Sequence, residues 1–292
     1  MTVLTTGIIE DPDPSQWMRH RYGLAEMRWE RLRNGAFWIT GAGTGFGCAI
    51  ATALASSGAH VFLTGRREAK LKEAIESMHS FGIDTSRCHA VPADVTNSEQ
   101  IDRAFALIRT HCGSLQGVVH SAAVPQRTRF QYPLEDEDVD CWDEAMQVNV
   151  RGPWLVTRTA LPLMLKVGAA RVLFLTSGAG WAFASGYGQY NVSKAALNSL
   201  TASFAEESSN RHPSADIQIN GLDPGQARTE MNQGSTRSPF GVVSVALLLL
   251  SHPKGGPNGK FFSHDGRHLG FCNSAPYDKS LHYLVGSQAP FP

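Results

Sequence analysis

Cysteine is scarce in this 292-residue chain, and the few present fall in no pattern. Cys48, Cys88, Cys112, Cys141 and Cys272 are odd in number and never spaced C-x-x-C, which argues against a disulfide framework and against a zinc finger or ribbon. A reducing compartment suits such usage. Charge imbalance is missing too. Lys plus Arg and Asp plus Glu both number 26, for a formal net charge of zero. No basic excess points to nucleic acid, and no Lys/Arg run points to a membrane surface. The longest apolar stretch, near Val242–Leu250, is too short to span a bilayer. Residues 1–16 carry Glu10, Asp11 and Asp13 where a secretory signal would have a basic start and an apolar centre. None of the 11 histidines pairs with another on a clear helical face, so no metal site is expected. These absences predict a cytoplasmic chain with neither a membrane nor a nucleic-acid partner.

What is present is an alternation of strands and helices. Strands are predicted at Ala36–Thr40, His60–Thr64, Cys88–Val91, Gly117–His120, Arg171–Thr176, Asp216–Gly221 and Gly259–Ser263. Most are continuous apolar runs, the pattern of strands covered on both faces. Helices are predicted between them at Gly47–Ser57, Arg66–Phe81, Ser98–His111, Asp138–Lys166, Tyr190–Asn210 and Phe240–Ser251. Such alternation predicts the α/β class, a Rossmann-like doubly wound parallel sheet in a three-layer α/β/α arrangement. Residues 36–292 read as one domain including a C-terminal tail, and residues 1–35 as an extension. That extension carries a helix from Ser15 to about Arg33, with Trp17, Leu24, Met27 and Leu32 at helical spacing. It either packs on the main domain or docks a partner.

Between the first strand and the next helix lies Thr40-Gly41-Ala42-Gly43-Thr44-Gly45-Phe46-Gly47. Glycines permit a tight turn and close backbone approach, and the helix N-terminus offers free N–H groups to a pyrophosphate. Gly41, Thr44, Gly45, Phe46 and Gly47 are therefore dinucleotide-binding candidates. The second strand ends in Thr64-Gly65-Arg66-Arg67, without the carboxylate that would accept a ribose 2′-hydroxyl. An arginine fork suits a 2′-phosphate, so NADP(H) is expected, with Arg66 the first choice and Arg67 the second, and NAD the lesser alternative. Both arginines could instead decorate a helix start. After the third strand, Asp94 can bond the adenine amino group and Val95 can pack on the ring. Asp94 or Asn97 can equally cap the following helix.

Tyr190 and Lys194 lie four residues apart on a predicted helix, hence on one face. An ammonium beside a phenol, together with the positive charge of an oxidised nicotinamide, favours phenolate and lowers its pKa toward the working range. Tyr-x-x-x-Lys alone means little. Here Ser177 stands at the end of the fifth strand, thirteen residues before Tyr190, and Asn149 lies within the long predicted helix. Tyr187 rivals Tyr190 but has no lysine one turn on.

With these residues in order, the stretch from Ala36 to Ser263 resembles the short-chain dehydrogenase/reductase family. Thr40, Gly41, Gly45 and Gly47 match its Thr-Gly-x-x-x-Gly-x-Gly pattern, and Asn149, Ser177, Tyr190 and Lys194 match its catalytic set. Pro224, Gly225 and Thr229 resemble its loop beside the nicotinamide amide. The resemblance implies an NADP(H)-dependent oxidoreductase interconverting a carbonyl and an alcohol, built as a homo-oligomer. Tyr190 would move the proton and Ser177 would hold the carbonyl oxygen. Lys194 would hold the nicotinamide ribose and Asn149 a water, while the cofactor carries the hydride.

Departures accompany the likeness. Where the family reads Asn-Asn-Ala-Gly, this chain has His120-Ser121-Ala122-Ala123. Ser121, Ala122 and Ala123 remain cofactor-side candidates, with an added methyl at Ala123. Only about ten residues separate Thr229 from the next predicted helix, so the substrate site should be open or completed by another segment. Its lining is expected from Trp181, Phe183, Tyr187, Pro125, Gln126, Arg127 and Met231, which favour an apolar or ring-bearing carbonyl compound, although Trp181 and Phe183 could equally pack internally. Two other readings compete: a dinucleotide-binding sensor or scaffold with little turnover, and a sugar-nucleotide epimerase or dehydratase. The latter usually has a differently spaced glycine motif and a larger C-terminal domain, neither seen here.

Overall fold

A computed structural model describes residues 21–33, 35–125, 134–181 and 186–271. Among them, eight strands form one sheet in the order β3-β2-β1-β4-β5-β6-β7-β8. The strands are β1 (Ala36–Thr40), β2 (His60–Gly65), β3 (Cys88–Pro92), β4 (Gly117–His120), β5 (Ala169–Leu175), β6 (Asp216–Asp223), β7 (Phe261–Ser263) and β8 (His268–Leu269). Every pairing is parallel except β7 with β8. The helices are α1 (Glu26–Arg33), α2 (Gly45–Ser56), α3 (Glu68–Ser80), α4 (Ser98–His111), α5 (Val139–Met146), α6 (Gly152–Val167), α7 (Gly188–Arg211) and α8 (Val243–Leu250).

Side chains alternate across a strand, so a wholly buried strand must feed two cores. Phe37 and Ile39 of β1 join a core with Ile50 and Leu54 of α2 and Leu247 of α8. Trp38, between them, points to the opposite core with Ile101 of α4, Val156 of α6 and Leu197 of α7. Glycines leave room for rings across this sheet. A Cβ at Gly117 would stand 2.7 Å from the Phe37 ring, and one at Gly221 2.4 Å from the Phe261 ring.

The doubly wound α/β expectation holds, as do the placements of the seven predicted strands; β8 was not foreseen. Two helix expectations are corrected. The lead helix is not continuous through residue 33: Arg21 and Tyr22 adopt left-handed backbone (φ 47° and 51°), and α1 starts only at Glu26. Ser15 and Trp17 lie outside the described residues. Leu24, Trp29 and Leu32 join the first core, whereas Met27 is exposed. Arg28 is buried and donates to the Leu248 carbonyl of α8. This segment therefore packs on the domain. The long helix predicted over 138–166 is interrupted by a π turn at Gln147–Arg151. One extra residue per turn shifts the faces of α5 and α6 against each other, a common device at functional sites.

Candidate active site

The strand order reverses between β1 and β4, where the loops leaving their carboxyl ends part and open a crevice. Thr40 ties the two ends together: its hydroxyl accepts from Ser121 N and Ala122 N at 3.3 and 3.4 Å. Gly41 needs to be glycine on two counts. Its φ is 64°, and a Cβ would stand 2.6 Å from Ala122 N. At Gly47 a Cβ would meet the Gly41 carbonyl oxygen at 2.4 Å. The turn thus delivers the start of α2 into the crevice, and Thr44, the residue before it, makes no side-chain cap bond. Uncapped N–H groups at a helix start, beside a backbone stripped of side chains, fit a pyrophosphate. Thr229 closes over them, its Cγ2 3.1 Å from where a Gly45 Cβ would be. Thr44, Gly45 and Phe46 stay partly open, as do Ser121, Ala122, Ala123, Pro224 and Gly225.

Farther along the crevice, Arg66 is exposed and Arg67 is engaged by Glu230, with Nη2–Oε2 at 2.5 Å and Nη1–Oε1 at 3.3 Å. Sequence reasoning missed Glu230, because nothing local marks residues 163 positions apart as partners. Asp94 Oδ1 accepts from Thr96 N at 2.9 Å, while Asn97 caps α4 by accepting from Gln100 N at 3.0 Å. Of the two caps considered, Asn97 is the one formed. Val95 is turned inward, only 6% exposed, and Gly152 has no Cβ because Val95 occupies the space.

At the chemical end, α7 places Tyr190 and Lys194 on one face, with Nζ 5.6 Å from the phenol ring centre. Lys194 is buried, and its ammonium donates to the Leu175 carbonyl at 3.0 Å. Burial pushes the lysine down to about 8, opposed by the Asp223 carboxylate. Burial also pushes the Tyr190 phenol up to about 12; the Ser177 hydroxyl bonded to it acts the other way, and Asp223 and Tyr187 add to the rise. Burial is the dominant influence on the phenol, and the Lys194 ammonium faces the Leu175 carbonyl. Ser177 also accepts from Ala179 N at 3.2 Å, which orients its hydroxyl at the end of β5.

Asn149 sits in the π turn, 1% exposed. Its amide clamps the chain leaving β4, accepting from Val124 N at 2.8 Å and donating to Val124 O at 3.0 Å. It also donates to Ser193 Oγ on α7 at 3.0 Å, joining the crevice wall to the Tyr190 helix. His120, the departure at the end of β4, is wholly buried against Thr157, Nε2 to Oγ1 at 2.7 Å, and burial pushes it down to about 3. It is a neutral packing residue.

Of the expected substrate lining, Tyr187, Pro125 and Met231 border the crevice or its loops with exposed surface, Met231 at 45%. Gln126, Arg127 and Phe183 lie outside the described residues. Trp181 instead anchors the chain beyond β8, donating from Nε1 to Gly270 O at 2.9 Å and packing edge-on against Phe261. Histidines far apart in sequence do meet: His89 lies 4.1 Å from His111 and 6.3 Å from His60, ring centre to ring centre, at the amino edge of the sheet. No group of three or more His, Cys, Asp or Glu arranged to hold a metal is found among the described residues.

Comparison with known proteins matches the family "short chain dehydrogenase" over residues 36–239. The chain belongs to that family. It is an NAD(P)-dependent dehydrogenase/reductase. An uncharacterized oxidoreductase of Staphylococcus aureus strain N315 is 28% identical over 222 residues, covering 74% of this chain and 90% of that protein. Dehydrogenase/reductase SDR family member 4 of Pongo abelii is 31% identical over 208 residues, 70% of each chain. A Shigella flexneri short-chain dehydrogenase structure complexed with NADP superimposes with TM-score 0.71 and 26% identity, covering 80% of this chain and 99% of that one. An Escherichia coli counterpart complexed with NADPH gives the same TM-score and identity, over 80% and 98%. Among the described residues no helix is long and apolar enough to cross a membrane.

Proposed function

We propose that this chain is an NADPH-dependent carbonyl reductase whose proton donor is Tyr190. The observation that carries the reading is the phenol bonded to Ser177 at the mouth of the crevice, with the Lys194 amine beneath it. NADP(H) is favoured over NAD(H) by Arg66 and Arg67 following β2, whose end carries no carboxylate of its own, and by the two similar structures complexed with NADP and NADPH. Gly41, Thr44, Gly45, Phe46 and Gly47 would hold the pyrophosphate, Arg66 and Arg67 the 2′-phosphate, and Asp94 the adenine amino group. Ser121, Ala122, Ala123, Pro224, Gly225 and Thr229 would flank the nicotinamide half. When bound, the nicotinamide supplies the hydride to the carbonyl carbon.

The chain's own residues supply position and a proton. Ser177 donates to the carbonyl oxygen, which polarises the C=O bond. Tyr190 gives its proton to that oxygen as negative charge develops there, turning the carbonyl into an alcohol. The phenol keeps its proton until the carbonyl oxygen is ready to take it. Lys194 places a positive charge under the phenolate left behind, and Asn149 holds the π turn and α7 in register. Tyr187 and Met231 at the mouth favour an apolar, ring-bearing carbonyl compound.

The test is a fluorescence titration with NADPH and NADH, followed by a panel of aromatic and aliphatic ketones and aldehydes monitored by NADPH absorbance. Tyr190→Phe should keep NADPH affinity and cut turnover about a thousandfold. Substantial activity in that variant removes Tyr190 as donor. Binding of NADPH with no turnover of any carbonyl would favour the sensor or scaffold reading, which draws on the His120–Ala123 departure.

A further inference from the structure

Asp223 is the last residue of β6, directly before Pro224-Gly225, and the proton-transfer scheme above does not use it. Its position is set by the sheet. Leu222 pairs with Leu175, and Thr176 N donates to the Leu222 carbonyl at 2.8 Å. Asp223 therefore lies one strand over from the chain that enters the Ser177 turn. Its carboxylate is not free to swing away: Oδ1 accepts from Gly225 N at 3.0 Å. The other oxygen faces the catalytic turn, with Oδ2 3.5 Å from where a Gly178 Cβ would stand. The same strand pair presents the Leu175 carbonyl to the Lys194 ammonium. A fixed negative charge is thus built into the wall of the Tyr190 site.

We propose that Asp223 is a positioning residue for the proton transfer: its carboxylate, held against the Ser177–Gly178 turn, keeps the Lys194 amine charged and the Tyr190 phenol protonated. This deepens the reductase reading and rests on it. A buried amine is otherwise prone to lose its charge, and a carbonyl offers it only a dipole. A carboxylate nearby stabilises the ammonium and penalises phenolate, both of which keep a proton ready for the substrate oxygen. The other groups around the phenol do not replace it. Tyr187, like Asp223, acts to raise Tyr190, but it carries no carboxylate to face the ammonium. On α5, packed against α7, Asp140 and Asp143 are exposed and Glu144 is partly buried; Arg151 of the π turn is spent on the Thr96 carbonyl. His264, whose ring lies against Gly225, bonds Ser263 Oγ at 3.2 Å.

The test is a titration that needs no substrate. Protein labelled with 13C at lysine Cε is followed by NMR from pH 6 to 11, and the Lys194 signal is assigned by its loss in Lys194→Met. In the wild type that signal should titrate near 8, apart from the other lysines. In Asp223→Asn the amine should become at least threefold more acidic, and Asp223→Glu should restore most of the difference. Thermal melting confirms that both variants fold. An unchanged Lys194 midpoint in Asp223→Asn overturns the proposal, as does a wild-type Lys194 that titrates with the surface lysines. A glutamate that fails to restore the midpoint, while folded, also counts against it. A failure of NADPH binding would sink the reductase reading and leave this titration intact, so the two can fail separately.

Discussion

The amino and carboxyl edges of the sheet treat buried charge in opposite ways. At the amino edge, Arg171 of β5 is almost fully covered, yet it donates to Asp216 Oδ2 at 2.7 Å, to the Asp216 and Ala170 carbonyls at 2.8 Å, and to the His252 carbonyl at 2.9 Å. At the carboxyl edge, Lys194 is equally buried but rests on a single carbonyl, and the phenol beside it is pushed far from its ordinary range. A saturated charge locks two strands and a loop together. An undersatisfied one costs folding energy and stays responsive to what enters the crevice. The contrast separates stabilising from functional electrostatics within one sheet.

Replacing Lys194 by Met should show the contrast most strongly. Turnover of any carbonyl substrate should fall about a thousandfold, whereas stability at pH 7 should rise by on the order of 2 kcal/mol, because an amine without a countercharge in direct contact leaves the interior. The pH dependence carries the sign. The folded-state value near 8 lies below the unfolded 10.5, so between these limits the unfolded chain holds more protons. Wild-type stability should therefore rise from pH 8 to 10.5, and the variant should lose that slope. Urea melts across this range check both points. A destabilised Lys194→Met would show that the ammonium is a structural tie like Arg171.

Asp216→Asn probes the other edge. It keeps shape and most hydrogen bonds but removes the countercharge of a buried arginine, so about 2 kcal/mol of stability should go. NADPH affinity should not change, since β6 begins at the far end from the crevice. The carboxyl is held below its ordinary range, with its hydrogen bonds to Gln218 and Arg171 and the Arg171 charge overcoming the opposing effect of burial. Its contribution is thus present above the unfolded carboxylate pKa and lost as pH falls through the lower folded value.

Much of this organisation was legible in the residues. β1 and β4 match their predicted bounds because each is a short apolar run closed by polar or small residues, and the glycine turn follows β1 as expected. Tyr190, Lys194 and Ser177 converge because helix periodicity and strand ends fix their directions. What escaped depends on tertiary packing. The π turn adds one residue that hydrophobic periodicity does not register, so the clamp that Asn149 places on Val124 could not be read from the predicted helix. The fit of Val95 into the space that Gly152 leaves joins two segments that no local pattern pairs. His60, His89 and His111 come from β2, β3 and α4, and only the sheet order brings them together. Trp181 looked like a pocket residue because of its place between Ser177 and Tyr190; its indole N–H found the Gly270 carbonyl instead.

The cofactor crevice allows a finer version of the same contrast, between charges free to meet a ligand and charges already paired. Arg66→Ala should weaken NADPH about tenfold and leave NADH nearly unaffected, in keeping with the loss of one charge-assisted phosphate contact. Equal losses for both cofactors would remove the 2′-phosphate assignment. Arg67 is different, because Glu230 from the loop beyond Thr229 already engages it. Both partners are about half exposed, 59% and 49%, so the pair is worth at most about 1 kcal/mol and should yield to an incoming phosphate. Glu230→Gln should therefore strengthen NADPH binding only two- to fivefold, with NADH unchanged and the gain fading as salt is raised. Placing Glu230→Gln in an Arg67→Ala background decides whether the competition is direct. The gain should vanish there, and its persistence would mean that Glu230 repels the phosphate across the crevice without needing Arg67 as intermediary.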